Sequence, residues 1–174
     1  MRLFIAIEPS PAFRTAVSAL QDRLRAAGIT GSWLSPSNLH LTLAFIGMCP
    51  DDVSVPLPAV PQPFTMTLSH PGVFPKARVL YAGAEPVSAL SNLSARVRNT
   101  LSDAGIPFDG QGFIPHITLA RKPVIPADTD LSGIVIPPTV MTVREVCLYR
   151  SEHTDSGMKY TVIARSGETA EHRQ

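Results

Sequence analysis

Two cysteines in 174 residues leave little material for covalent staples or thiolate metal centres. Cys49 stands in a proline-rich turn and Cys147 in an apolar run, without metal-site or redox-motif spacing, so both are expected as free thiols. Charge is also scarce: Asp, Glu, Lys and Arg make up 17% of the chain, against about 25% in an average soluble protein. The formal net charge of +1 excludes a broad basic footprint for long nucleic acid but allows a small local anion site. No apolar run reaches the ~20 residues of a membrane-spanning helix, and the first residues lack the apolar core of a secretory leader. No membrane partner is expected, and the cytoplasm is the expected location.

What is abundant is proline, 17 residues in all. Two clusters, residues 50–63 and 123–138, are expected as loops or edges, with at most one helical turn near Asp51–Val55. The length suits one domain with a sizeable core, here residues 1–174.

The most informative stretch is His40-Leu41-Thr42-Leu43-Ala44, which returns as His116-Ile117-Thr118-Leu119-Ala120. Each copy alternates polar and apolar residues, as a half-buried strand does. Successive strand side chains point to opposite faces. His40 therefore shares a face with Thr42, and His116 with Thr118. A titratable imidazole beside a hydroxyl donor can serve an anion, and two such pairs could hold one between them. The copies sit in a longer repeat: Glu8-Pro9 and Ala27-Gly28-Ile29 both recur 77 positions later, and the histidines are 76 apart. Ordered landmarks at nearly one offset suggest two halves related by an approximate two-fold axis.

The remaining pattern fills in both halves. A strand is expected over Arg2–Glu8, then a helix capped by Ser10 with Pro11 in its first turn. Its apolar stripe is Phe13, Val17, Leu20 and Leu24, and Gly28 ends it. A short strand at Trp33-Leu34 precedes the first His strand, about Leu39–Ile46. The second half brings strands at Phe64–Ser69 and Arg78–Ala84, with Pro71–Pro75 as a turn between them. A second helix carries Val87, Leu90, Leu93, Val97 and Leu101, and the second His strand is Phe113–Arg121. Pro115 confines that strand to an edge or a late start. Thr139–Arg150 and Met158–Arg165 read as two strands joined by a long loop, and the polar tail 166–174 as frayed. The result is an α+β fold of two pseudo-symmetric lobes of antiparallel-rich sheet, with helices outside and a central cleft.

With these motifs the chain resembles the two-histidine (2H) phosphoesterase superfamily, and within it the RNA 2′,3′-cyclic phosphodiesterases once described as 2′-5′ RNA ligases. The likeness rests on Arg2-Leu3-Phe4-Ile5-Ala6-Ile7, on Asn38-Leu39-His40-Leu41-Thr42-Leu43 with Phe45 and Gly47, and on Phe74-Pro75 with Arg78-Val79-Leu80. It continues in Pro115-His116-Ile117-Thr118-Leu119-Ala120-Arg121 and Leu148-Tyr149-Arg150-Ser151. Members usually carry a helix after the first motif, which the prolines here oppose. The resemblance implies hydrolysis of a 2′,3′-cyclic phosphate to a 2′-phosphate, on RNA 3′ ends or small nucleotides. It implies His40 as proton donor, His116 as proton acceptor, and Thr42 and Thr118 as phosphate-holding residues.

The chemistry suits those residue types. In-line opening of a cyclic phosphodiester needs a base on the water side and an acid on the leaving-oxygen side, and imidazoles titrating near pH 6.5 can fill both roles. No cofactor or metal is expected, since no carboxylate cluster accompanies the histidines in sequence. Arg121 is a candidate phosphate or ribose contact, yet its odd spacing from His116 points it to the other face unless a bulge intervenes. Phe4, Trp33 and Phe45 are candidates for base stacking or for plain core packing. Lone His70, His153 and His172 are expected in loops. The chain is expected to act as a monomer. RNA joining in the same site and a non-catalytic nucleotide-binding module are the competing functions.

Overall fold

The computed structural model describes residues 1–167; the tail expected to be frayed lies, from residue 168 onward, outside the described residues. Two antiparallel sheets carry the fold. The first has the order β3-β1-β8-β9, from β1 (Arg2–Ile7), β3 (Leu41–Met48), β8 (Cys147–Thr154) and β9 (Gly157–Arg165). The second has the order β2-β6-β5-β4-β7, from β2 (Thr30–Trp33), β4 (Phe64–Phe74), β5 (Val79–Glu85), β6 (His116–Val124) and β7 (Val140–Val143). Helices α1 (Pro11–Ala26) and α2 (Val87–Asp103) complete an α+β fold of the expected kind.

The helices form for the reasons their sequences give. The Ser10 side chain accepts a hydrogen bond from the Phe13 amide, Pro11 needs no amide partner in the first turn, and Gly28 follows the C-terminus at φ +89°. Phe13, Val17, Leu20 and Leu24 are buried on α1, and Leu90, Leu93, Val97 and Leu101 on α2. Val87, expected in the second stripe, is exposed at the first residue of α2. The main core joins both helical stripes to Leu3, Ile5 and Ile7 of β1, Leu41 and Leu43 of β3, Leu80 and Ala82 of β5, and Ile117 and Leu119 of β6. The apolar partners within both His motifs thus face one shared core.

Several boundaries depart from the expectation. Pro71–Pro75 is not a turn, because β4 runs to Phe74. Pro71 lies beyond the segment that β7 pairs (Phe64–Thr67) and next to a register shift, a place where strands tolerate proline. The second His strand starts late, at His116, and continues to Val124; it is interior to its sheet, between β2 and β5. Thr139–Arg150 is two strands in different sheets: β7 pairs with β4, the chain crosses at Arg144–Val146, and β8 pairs with β1. The long loop after it is a tight hairpin, with Thr154 paired to Gly157. The proline-rich stretch after β3 forms no helix, and Val53, Val55, Leu57 and Val60 lean on the main core.

Candidate active site

The two histidines are held alike. His40 lies just ahead of β3 and His116 opens β6. Each ring places Nδ1 2.7 Å from the carbonyl oxygen two residues earlier, that of Asn38 or Ile114. A carbonyl only accepts, so Nδ1 carries the proton in both neutral rings, and Nε2 is the nitrogen left to exchange one. The carbonyl of Asn38 is presented by a 3-10 turn, Pro36–Asn38. The Asn38 side chain also clamps β9, donating to Met158 O at 2.7 Å and accepting from Tyr160 N at 3.1 Å.

The strands β3 and β6 pack against one another although they belong to different sheets, and the charge of His116 is felt at His40. Both strands are bulged after the threonine. Ala6 pairs with Thr42 and Ile5 with Ala44, so Leu43 is an extra residue; Tyr81 pairs with Thr118 and Leu80 with Ala120, so Leu119 is one as well. An extra residue reverses the facing of the side chains beyond it. Arg121, opposite Val79, therefore shares the face of Thr118 and His116 despite its odd spacing. At the equivalent place in the first half stands Phe45, half-buried, with the Arg2 guanidinium 5.0 Å from its ring centre.

Aromatic walls surround each imidazole. Phe4 lies 4.7 Å from the His40 ring, Tyr160 5.1 Å and Tyr149 5.7 Å; Phe4 and Tyr149 stack on each other. Phe74 and Tyr81 lie 4.9 and 5.8 Å from the His116 ring. Gly72 makes room for Tyr81, since a Cβ there would fall 2.5 Å from the tyrosine oxygen. Trp33 is not part of these walls as described; it carries Arg25 4.5 Å from its ring centre. Tyr81 and Tyr160 escaped the sequence reading, and Tyr149 entered it only as part of the resemblance, because their nearness to the histidines depends on pairing between distant strands. His70 and His153 lie exposed on β4 and β8 rather than in loops, and His172 is outside the described residues.

This setting disfavours the protonated rings. Burial first, then the positive charges of His116, Arg121 and Arg14, push the His40 pKa down to about 4, against the supporting bond to Asn38. Burial and Arg121 likewise lower that of His116, although its bond to Ile114 opposes them. In the free protein, a ring-carbon NMR titration should find His40 taking up its proton only near pH 4. Inorganic phosphate should raise that midpoint by supplying the missing opposite charge. A free-protein midpoint at or above the ordinary value of about 6.5 contradicts this account of the site.

Among the described residues one trio of possible metal ligands assembles: Glu8, Glu145 and Cys147. Arg165 already sits in it, with Nη1 2.6 Å from Glu8, 2.8 Å from Glu145 and 3.4 Å from the Cys147 sulfur. The carboxylates thus have their countercharge, and burial raises the Cys147 thiol to about 11, which keeps it protonated near neutral pH.

Comparison with known proteins identifies the family. A LigT like Phosphoesterase model matches residues 7–81, and a 2'-5' RNA ligase superfamily model matches residues 56–155. Proteins named RNA 2',3'-cyclic phosphodiesterase are similar across most of their length: that of Thermotoga maritima is 30% identical, over 94% of this chain and 93% of its own. That of Thermus thermophilus is 31% identical, over 99% of this chain and 92% of its own. The crystal structure of E. coli LigT complexed with 3'-AMP superposes with a TM-score of 0.71 at 27% identity, covering 94% of this chain and 95% of that one. With a family model matching more than half of the chain, relatives of this identity and the same fold, the chain belongs to the 2'-5' RNA ligase superfamily.

Proposed function

We propose that this protein hydrolyses 2′,3′-cyclic phosphate ends of RNA, or small cyclic nucleotides, to 2′-phosphates, with His116 as general base and His40 as general acid and without a metal ion. The observation that carries the reading is the matched pinning of the two rings. Each keeps its proton on Nδ1 and offers Nε2, beside a threonine, on neighbouring strands of the repeat. Family membership and the relatives' shared name support the substrate class.

In the proposed reaction, water attacks phosphorus as its proton passes to His116 Nε2. The bond from phosphorus to the ribose 3′ oxygen breaks, and that oxygen takes the proton from His40 Nε2. Thr42, Thr118 and Arg121 hold the non-bridging oxygens, where negative charge grows. The bound phosphate also supplies the anion that His40 lacks in the free protein, so substrate itself favours the protonated acid. Because each sheet provides one histidine, the two lobes work as one catalytic unit. A binding module has no use for two matched proton carriers. Joining of RNA ends would use the same groups in the same roles, with a 5′-hydroxyl in place of water as the nucleophile.

Turnover of 2′,3′-cyclic AMP to the 2′-monophosphate in excess EDTA tests the reading, alongside cleaved RNA bearing a cyclic phosphate and a 5′-hydroxyl. Hydrolysis should be insensitive to the chelator and faster than joining. Arg121→Met should lower kcat/KM by roughly 10-fold for one lost charge-assisted contact of about 1.5 kcal/mol, with part of the loss in kcat. Loss of activity in EDTA, restored by a divalent ion, defeats the metal-free mechanism.

A further inference from the structure

Among the described residues two polar side chains are buried in the interior, Gln21 on α1 and Ser94 on α2, each 1% exposed. Both address the same position of the repeat. Ser94 Oγ donates to the Leu43 carbonyl at 2.8 Å, with Arg98 Nε behind it at 3.4 Å. Gln21 Nε2 donates to the Leu119 carbonyl at 3.0 Å and to that of Leu34 at 2.9 Å. Leu43 and Leu119 are the extra residues of the two bulges. The connection is crossed: the helix of the second half serves the His strand of the first, and the helix of the first half serves the His strand of the second.

Packing alone does not call for these side chains. An apolar residue of similar size would fill either space, as Leu20 and Leu93 do beside them. What an apolar residue cannot do is donate to the Leu43 carbonyl, or add a second donor to the Leu119 carbonyl, which also accepts from the Leu34 amide at 3.0 Å. The bulge is also what aims the cleft side chains. Thr42 and His40 lie on one side of Leu43 with Phe45 on the other, and Thr118 and His116 on one side of Leu119 with Arg121 on the other.

We infer that Ser94 and Gln21 are positioning residues for the reaction, Ser94 for the strand that carries His40 and Gln21 for the strand that carries His116. The inference rests on the two-histidine reading above, and it adds that each helix sets the geometry of one proton carrier and not of the other. Misplacement of a reacting group by about 1 Å can cost on the order of 100-fold in rate. Ser94→Ala and Gln21→Met should therefore lower kcat for 2′,3′-cyclic AMP by about 10- to 100-fold, with KM nearly unchanged, and Ser94→Thr should restore most of the loss.

The discriminating substrate replaces the 3′ oxygen by sulfur, which leaves as thiolate without needing a proton. On it Ser94→Ala should recover as His40→Ala does, and Gln21→Met should stay impaired as His116→Ala does. If the histidine variants separate on this substrate while both helix variants lose equally on both substrates, the positioning inference is overturned and the acid–base reading stands. If the histidine variants do not separate, the acid–base reading is overturned, and the ring protons judge the inference alone. Ser94→Ala should shift the His40 Nδ1–H resonance and spare that of His116, and Gln21→Met the converse. Movement of neither resonance, or of both in each variant, overturns it.

Discussion

His116→Ala and His40→Ala should each lower kcat by about 10²–10⁴-fold, the usual worth of a positioned acid or base. The double variant should be little worse than either single one, because the two rings act as a unit and neither proton transfer is useful without the other. Wild-type kcat/KM should be bell-shaped in pH and displaced below the ordinary imidazole range, since burial lowers both rings in the free protein. The limbs belong to the coupled pair and not to either ring alone, because the charge on His116 is felt at His40. The profile of kcat should sit at higher pH, once bound phosphate offsets the cations around the site. The sulfur-substituted cyclic phosphate should rescue His40→Ala and not His116→Ala. Rescue of the His116 variant instead would exchange the two roles, and rescue of neither would remove the acid–base assignment.

Phe13→Ala should cost about 3–5 kcal/mol of folding stability, a large share of the roughly 5–15 kcal/mol that holds a domain together. Phe13 is 0% exposed, and it docks the first part of α1 onto the core shared by both sheets. Its removal leaves a cavity whose walls, β-strands on one side and a capped helix on the other, cannot easily close. Denaturant titration should show a lower midpoint at an unchanged slope, and thermal unfolding a midpoint lower by roughly 6–20 °C for a chain of this size. The same change at half-buried Phe113 is the control and should cost far less. A loss at Phe13 of under about 1 kcal/mol, well below the range for buried aromatics, would mean that α1 is not an integral part of the cooperative unit.

Local chemistry made much of this protein legible from its residues. Ser10, Pro11 and Gly28 mark the ends of α1, and the apolar stripes of α1 and α2 predict which helix faces are buried. Alternation in the two His-x-Thr motifs predicts that His40 and Thr42 share one face while Leu41 and Leu43 enter the core, as Ile117 and Leu119 do in the second copy. These properties depend on residues a few positions apart, which is the range over which a periodic pattern carries information. The 76-residue spacing of the histidines extended that reading to a two-part molecule, because a repeated sequence repeats its local structure.

The tertiary structure decided whatever depends on pairing between distant segments. Thr139–Arg150 alternates like one strand, yet β4 claims its first part and β1 its last, so the chain changes sheets between them. Arg121 has the wrong parity for the cleft until Leu119 drops out of the ladder opposite β5, and Phe45 reaches the corresponding place through Leu43. The crossed bonds of Gln21 and Ser94 that accompany those bulges join residues 98 and 51 positions apart. Strand register is set by the partner strand and by what lies beneath it, not by the strand's own alternation, and a single extra residue reverses every side chain beyond it. Composition and motif therefore determined which groups this protein carries, and only the pairing and packing of distant strands, β3 against β6 among them, decided which of them share a face.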